Sequence, residues 1–184
     1  LAASVERASE HPLAQAVVTA ATERKITLAN VSDFDSPTGK GALGRIDNKR
    51  IALGNAKFLD ELKISTAALN EQAEKLRQNG ATAIFVGIDD KAAGILAIAD
   101  PVKASTVPAL KALPDAGIRV VMLTGDNRTT ALAVAKRLGI GDVEAEVLPD
   151  RKSAIIEKLR SEGRVVAMAG DGVNDAPALA SADV

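Results

Sequence analysis

The chain has 184 residues, 47% hydrophobic and 26% charged, with a net charge of −1, a make-up that suits one sizeable globular domain or two small ones. With no cysteine, one histidine, 2% aromatic residues and no basic patch, it excludes disulfides, thiolate or His-rich metal sites and a nucleic-acid partner. No apolar run approaches the ~20 residues of a membrane helix, the opening "LAASVERASEHP" has no secretory pattern, and a first residue of Leu suggests a piece of something longer.

In chain order, "HPLAQAVVTAATERK" puts Leu13, Ala16, Val17, Ala20 and Ala21 on one helical face, with Pro12 suited to an early helical position. "RIDNKRIALG" reads as two short strands around a two-residue turn at Asp47-Asn48. A helix is predicted over 67–78. A second hairpin, "AIFVGIDDKAAGILAIA", turns at Asp89-Asp90. Helices and hairpins together predict an antiparallel sheet with helices packed on it.

The texture changes at Asp100-Pro101. A helix is predicted over 102–116, its interior and end complicated by Pro108 and Pro114. "IRVVML" (118–123) reads as a buried strand. A helix over 128–138 is stopped by Gly139. "VEAEVL" (143–148) is a short strand, and a helix over 149–161 starts on proline. "RVVAMA" (164–169) is a second buried strand, and 176–180 begins a last helix. Such alternation, with continuous apolar strands, is the pattern of a parallel, doubly wound sheet.

Chemistry in open parallel sheets gathers at the carboxyl ends of strands. "VVML" runs into Thr124, Gly125, Asp126 and Asn127; "VVAMA" runs into Gly170, Asp171, Gly172, Val173, Asn174 and Asp175. The glycines permit tight turns, the acids are hard oxygen ligands of the kind Mg²⁺ takes, and Thr124 and Asn174 suit phosphoryl oxygens. Lys152, in "LPDRKSAI", would supply a point charge for a transferring phosphate. These residues are also common turn formers; their repetition at successive strand ends with a lysine between favours a Mg²⁺-dependent phosphoryl-transfer site.

"MLTGDN" followed by "AGDGVNDAPALASADV" resembles the phosphorylation domain of P-type ATPases, in the haloacid dehalogenase superfamily. The resemblance implies that Thr124 holds the phosphoryl group, Lys152 offsets its charge, Asp171 coordinates Mg²⁺, Asn174 and Asp175 complete the phosphate and metal shell, and Asp126 organises the site. "SEHPLAQAV" is similar to the Ser-Glu-His-Pro motif of heavy-metal-transporting members. "SPTGKGALG" and "IALGNAKFL" are similar to the glycine motifs of their nucleotide domain. That implies an ATP or ADP site of Glu6, His11, Gly39, Gly41, Gly54 and Asn55, and the "ALGN" wording resembles copper pumps. Read from its own residues, His11 before a helix-starting proline is also an ordinary helix cap. "GKGALG" matches a dinucleotide fingerprint only as text, because a hairpin rather than a helix follows.

The expected architecture is α/β: an α+β nucleotide-binding domain at 1–99 and a truncated, Rossmann-like phosphorylation domain at 100–184. The family's nucleophile sits in an Asp-Lys-Thr-Gly-Thr motif that is absent here. By family order it should precede Leu1, and the family's last strands and membrane helices should follow Val184. The expectation is a cytoplasmic portion of an integral membrane pump that binds nucleotide without autophosphorylating and works with the actuator and membrane domains. Its phosphorylation half would be incompletely folded or strained. A free-standing phosphatase of the same superfamily and a non-catalytic nucleotide-binding module are the alternatives.

Overall fold

The computed structural model describes residues 1–37, 39–99, 102–170 and 175–184, with the backbone alone at Pro12, Pro149 and Asp150. The sequence boundary at Asp100-Pro101 and the site candidates Asp171 and Asn174 therefore lie outside the described residues. The chain forms two compact units, Leu1–Pro101 and Val102–Val184.

In the first unit, α1 (Ala2–Glu6) and α2 (Pro12–Glu23) precede β1 (Ser32–Asp35), β2 (Gly41–Ile46) and β3 (Lys49–Gly54). Then come α3 (Ala56–Glu61), a 3₁₀ turn at Ala67–Leu69, α4 (Asn70–Gln78), β4 (Thr82–Ile88) and β5 (Lys91–Ile98). The five strands pair antiparallel in sequence order. Asp47 and Asn48 both take positive φ, 48° and 64°, as a two-residue hairpin turn that matches strand twist demands. Side chains alternate across the sheet, so it presents two apolar faces. Ala42, Ile46, Ile51 and Leu53 pack with Val5 of α1. Ala52, Ala83 and Phe85 pack with Phe58, Leu59 and Ala73 of α3 and α4. Ile51, Ala52 and Leu53 are consecutive and all buried, because β3 is covered on both faces.

Two predicted elements shift. The buried seam of α2 is Ala14, Val17 and Ala21, and Ala16 is exposed. Alanines on every side of this helix leave the periodicity little contrast from which to choose a face. The helix predicted over 67–78 divides into the 3₁₀ turn and α4, where Thr66 Oγ1 bonds Asn70 Oδ1 at 3.1 Å.

The second unit holds α5 (Thr106–Asp115), β6 (Val121–Leu123), α6 (Arg128–Leu138), β7 (Asp142–Glu144), α7 (Pro149–Ser161) and α8 (Ala176–Ser181). β6 and β7 pair parallel, Val121 opposite Asp142 and Leu123 opposite Glu144. Arg119 and Asp142, 2.7 Å apart, tie the entry ends of these strands. Gly139 ends α6 with φ 73°, a left-handed cap that glycine adopts without strain. Pro108 is tolerated in α5 because it is the third helical residue, where no intrahelical donor is needed.

The helix predicted from 102 begins at Thr106. The strand predicted over 118–123 contracts to the partly buried Val121–Leu123, and that over 143–148 to Asp142–Glu144. The buried strand expected at 164–169 is not in the sheet: Val165 is 85% exposed. Its hydrogen bonds go to the C-terminal residues instead. Met168 N–H donates to Val184 O at 2.9 Å, and Asp183 N–H to Val166 O at 2.8 Å. Apolar composition alone does not make a strand; its backbone groups need a ladder to join, and the described parallel sheet has only two members. The whole is a mixed α/β protein with one antiparallel and one small parallel sheet.

Phe85 is fully buried, so Phe85→Ala is expected to cost about 3–5 kcal/mol in chemical denaturation. Ile118→Ala, at an exposed position, is expected to stay within about 0.5 kcal/mol of wild type.

Candidate functional site

In the first unit the chain leaves α1 at Glu6 and restarts at Pro12, with His11 as the N-cap of α2. The His11 backbone is extended, and Nδ1 accepts from Leu13 N–H at 3.1 Å. That bond uses the Nδ1 lone pair and leaves the ring proton on Nε2. Ser9 N–H donates to Glu6 O at 2.9 Å, and Ser9 Oγ accepts from His11 N–H at 3.2 Å. One serine thus ties the acid's turn to the histidine's cap. Glu6 is 7% exposed. Burial pushes its carboxyl above the ordinary range, with a hydrogen bond from Ser9 opposing the shift. Glu6, Ser9 and His11, with Arg7, Glu10 and Gln15, line a cleft of about 320 Å³. Two of the sequence-predicted residues therefore share one concave site.

Gly39, Gly41, Gly54 and Asn55 gather elsewhere, where β2 begins and β3 ends. Gly41 and Gly54 are register partners. A Cβ on Gly41 would fall 2.0 Å from Leu53 O, and one on Gly54 would fall 2.5 Å from Lys40 O. Backbone crowding thus demands both glycines. Asn55 Oδ1 caps α3 by accepting from Phe58 N–H at 2.8 Å, and its Nδ2 donates to Gly39 O at 3.4 Å. None of the four is among the residues lining the Glu6–His11 cleft.

In the second unit the carboxyl ends of β6 and β7 carry two further groupings. Thr124 Oγ1 donates to Asp126 Oδ2 and accepts from Asp126 N–H, each at 3.1 Å. Asn127 caps α6 through Thr129 N–H at 2.9 Å and reaches Glu146 Oε1 with its amide at 3.2 Å. Val147 N–H donates to Thr124 O at 3.1 Å, two residues before Pro149 opens α7. Lys152 stands in the first turns of α7, where the helix dipole disfavours a cation, and a carboxylate compensates: Lys152 Nζ lies 2.5 Å from Asp175 Oδ1. These two side chains are 15% and 13% exposed. Gly170 makes room for Asp175, since a Cβ there would sit 2.7 Å from Asp175 Oδ2.

A family model for haloacid dehalogenase-like hydrolases matches residues 1–183. The chain belongs to that family. It is 54% identical over 184 residues to a copper-transporting P-type ATPase of Rhizobium leguminosarum bv. viciae, covering 100% of this chain and 22% of that protein. It is 53% identical over 182 residues to a silver exporting P-type ATPase of Salmonella typhimurium, covering 99% of this chain and 22% of that one. The chain thus spans 22% of the length of each. Among solved structures, the catalytic domain of the CPx-ATPase CopB-B, studied for its conformational changes upon nucleotide binding, superposes with a TM-score of 0.72. It is 33% identical, with 100% of this chain and 64% of that chain covered. A zinc-transporting PIB-type ATPase in its E2.Pi state gives a TM-score of 0.62 at 32% identity, covering 98% of this chain and 29% of that one.

Against this hydrolase background, sequence reasoning missed several neighbours. Ser9 lies inside the quoted Ser-Glu-His-Pro stretch, yet its role as tie between Glu6 and His11 carries no periodic signal. Glu10 is exposed and lines the cleft. Glu146, at φ 59°, reaches Asn127 from a turn where a strand was predicted. Among the described residues no group of three or more His, Asp or Glu could hold a metal, and no helix is long and apolar enough to cross a membrane.

The raised Glu6 carboxyl fixes a sign. Folded-state stability from the neutral acid is fully present below the ordinary carboxyl range and is lost as pH rises through the raised value. Glu6→Gln is therefore expected to melt about 2–4 °C above wild type at pH 8, with the gap closing toward pH 4, in thermal scans followed by circular dichroism.

Proposed function

We propose that this chain is the ATP-binding cytoplasmic portion of a heavy-metal-transporting P-type ATPase of the copper-exporting kind. Residues 1–99 act as the nucleotide-binding domain, and 100–184 act as part of the phosphorylation domain. The observation that carries the reading is the cleft in which a buried Glu6 and the Nε2–H of His11 stand together. A neutral histidine ring with one defined donor, beside a carboxyl, presents the paired donor and acceptor edges that a flat heteroaromatic base takes. In this reading the glycine pair Gly41–Gly54 shapes the sheet end while Asn55 fixes α3, and both act on nucleotide through the backbone.

In the second unit Thr124 and Lys152 are the phosphoryl-facing groups, and Asp126 holds the Thr124 hydroxyl. Asp171 would coordinate Mg²⁺, and Asn174 and Asp175 would position the phosphate and complete the metal shell; Asp175 is paired with Lys152 in this structure. Mg²⁺, when bound, supplies charge neutralisation at the phosphoryl oxygens.

The parent pump couples ATP hydrolysis, through an aspartyl-phosphate, to metal export by its membrane domain, with the actuator domain as a further partner. The 184 residues contain no Asp-Lys-Thr-Gly-Thr, so this chain binds nucleotide without autophosphorylating. Identities of 54% and 53% to copper and silver transporters support copper as the cargo.

The test is calorimetric titration with ATP, with and without Mg²⁺. His11→Asn is the informative variant because asparagine keeps an N-cap acceptor while removing the ring. The expected outcome is a normally folded variant with ATP affinity down about tenfold, little dependence on Mg²⁺, and no phosphoprotein in either chain. Unchanged affinity in His11→Asn, or binding that requires Mg²⁺ and ignores His11, would overturn the reading.

A further inference from the structure

We propose that Ser9 is a positioning residue of the nucleotide cleft: its hydroxyl holds Glu6 as a carboxylate acceptor for an amino group of the base, and the cap at His11 holds that hydroxyl in place. The inference rests on the nucleotide reading above and assigns a further residue to that site.

Three observations lead to it. First, the backbone brings Ser9 back beside the acid. Ala8 N–H donates to Val5 O at 3.0 Å and Ser9 N–H to Glu6 O at 2.9 Å. A further turn thus follows α1, and residues three apart on a turn share a side. Second, the hydroxyl has a single proton, and its direction is set. Ser9 Oγ accepts from His11 N–H at 3.2 Å, which occupies a lone pair, and the one O–H goes to the Glu6 side chain. Third, Glu6 depends on that bond. It is 7% exposed. Burial favours its neutral acid, and the Ser9 hydrogen bond is the influence that opposes this, with no charge of the described residues contributing.

A neutral acid and a carboxylate offer a base different things. The acid carries a proton on one oxygen, whereas the carboxylate accepts on both. His11 already supplies a donor through Nε2–H, so the complementary group beside it is an acceptor. Ser9 favours that form through a neutral hydroxyl. Arg7, Glu10 and His11 line the same cleft, and Arg7 Nη2 donates to Ala29 O at 3.0 Å. Of the elements packed on α1, β2 carries Arg45, 3.6 Å from Asp33. β3 carries Lys49 and Arg50, the latter 2.9 Å from Asp90, and α2 ends at Glu23. The arginines and Lys49 keep their charge throughout the range in which carboxyls titrate.

The 184-residue chain is titrated calorimetrically with ADP from about pH 5 to about pH 8. Wild type is compared with Ser9→Ala, Ser9→Thr and His11→Asn, the fold of each checked by circular dichroism. In wild type alone, carboxyl-carbon NMR follows the Glu6 titration with and without ADP. The expected results are ADP affinity that rises with pH through the Glu6 midpoint, and a Glu6 midpoint that falls when ADP binds. Ser9→Ala is expected to bind about tenfold more weakly at the acid end, with its midpoint displaced upward and the gap closing as pH rises. Ser9→Thr, which keeps the hydroxyl, is expected within about twofold of wild type. If Ser9→Ala binds as wild type does, or is weaker by one factor at every pH, the inference is overturned. The same follows if Ser9→Thr fails to restore binding, or if ADP leaves the Glu6 midpoint unmoved. In each of these cases the nucleotide reading stands as long as His11→Asn weakens binding. If wild type binds no ADP, or His11→Asn binds normally, both are overturned. The NMR arm needs no variant, so a misfolded Ser9→Ala does not shelter the proposal.

Discussion

The burial of Val5 fixes the candidate nucleotide cleft. α1 has five residues, far too few to persist as a helix without tertiary support. Val5 supplies that support by packing, with no exposed surface, against Ala42, Ile46, Ile51 and Leu53. Beside it β2 carries Gly44, where a Cβ would lie 2.5 Å from Val31 Cγ1 but only in ordinary contact, 3.6 Å, with Val5 Cγ2, so the glycine makes room for Val31. The next residue, Glu6, is buried on the same short helix, 7% exposed. The turn that leaves it is held by Ser9 and ends in the His11 cap. A hydrophobic contact thus imposes an unfavourable carboxyl environment, and that environment is what makes Glu6 chemically distinct from the other acids of this unit.

In the second unit, charge takes the role that packing has in the first. Most of the described ion pairs of both units are solvent-exposed. Lys75–Glu71 and Arg119–Asp142 are examples, and such pairs contribute little to stability. Among the described pairs, Lys152–Asp175 is the one with both partners largely covered. A covered pair is weak evidence for stability, since an apolar pair of similar volume is often as stable. The parallel strands β6 and β7 deliver Thr124, Glu146 and the start of α7 to one edge, where Thr124 O and Val147 N–H join them.

How much of this was legible in the sequence depended on whether the determinant was local. The hairpin at Asp47-Asn48, the glycine stop at Gly139 and the proline-started helix α7 are set by residues within a few positions, and each appears as read. Glu6 and His11, named together by motif, line one cleft, whereas the contact of Lys152 with Asp175 joins two residues that the motifs named without pairing. The strand at 164–169 failed because pairing is a property of neighbours: "RVVAMA" has strand composition, yet its donors and acceptors meet the C-terminal residues. The face of α2 failed because alanine marks no side. The glycines and Asn55 gather at the end of the sheet and not among the residues lining the Glu6–His11 cleft. Their residue types answer equally to backbone crowding and to helix capping, which a string of letters does not separate from ligand contact.

The central claim is that nucleotide binds in the first unit at the Glu6–His11 cleft, independently of the metal and phosphoryl groups of the second. The most direct measurement is a backbone amide NMR titration of this chain with ADP in the absence of divalent cations. The account predicts shifts concentrated in residues 6–18, with Thr124, Asp126 and Lys152 unmoved. Shifts confined to residues 124–127 and 152, with 6–18 silent, would contradict it.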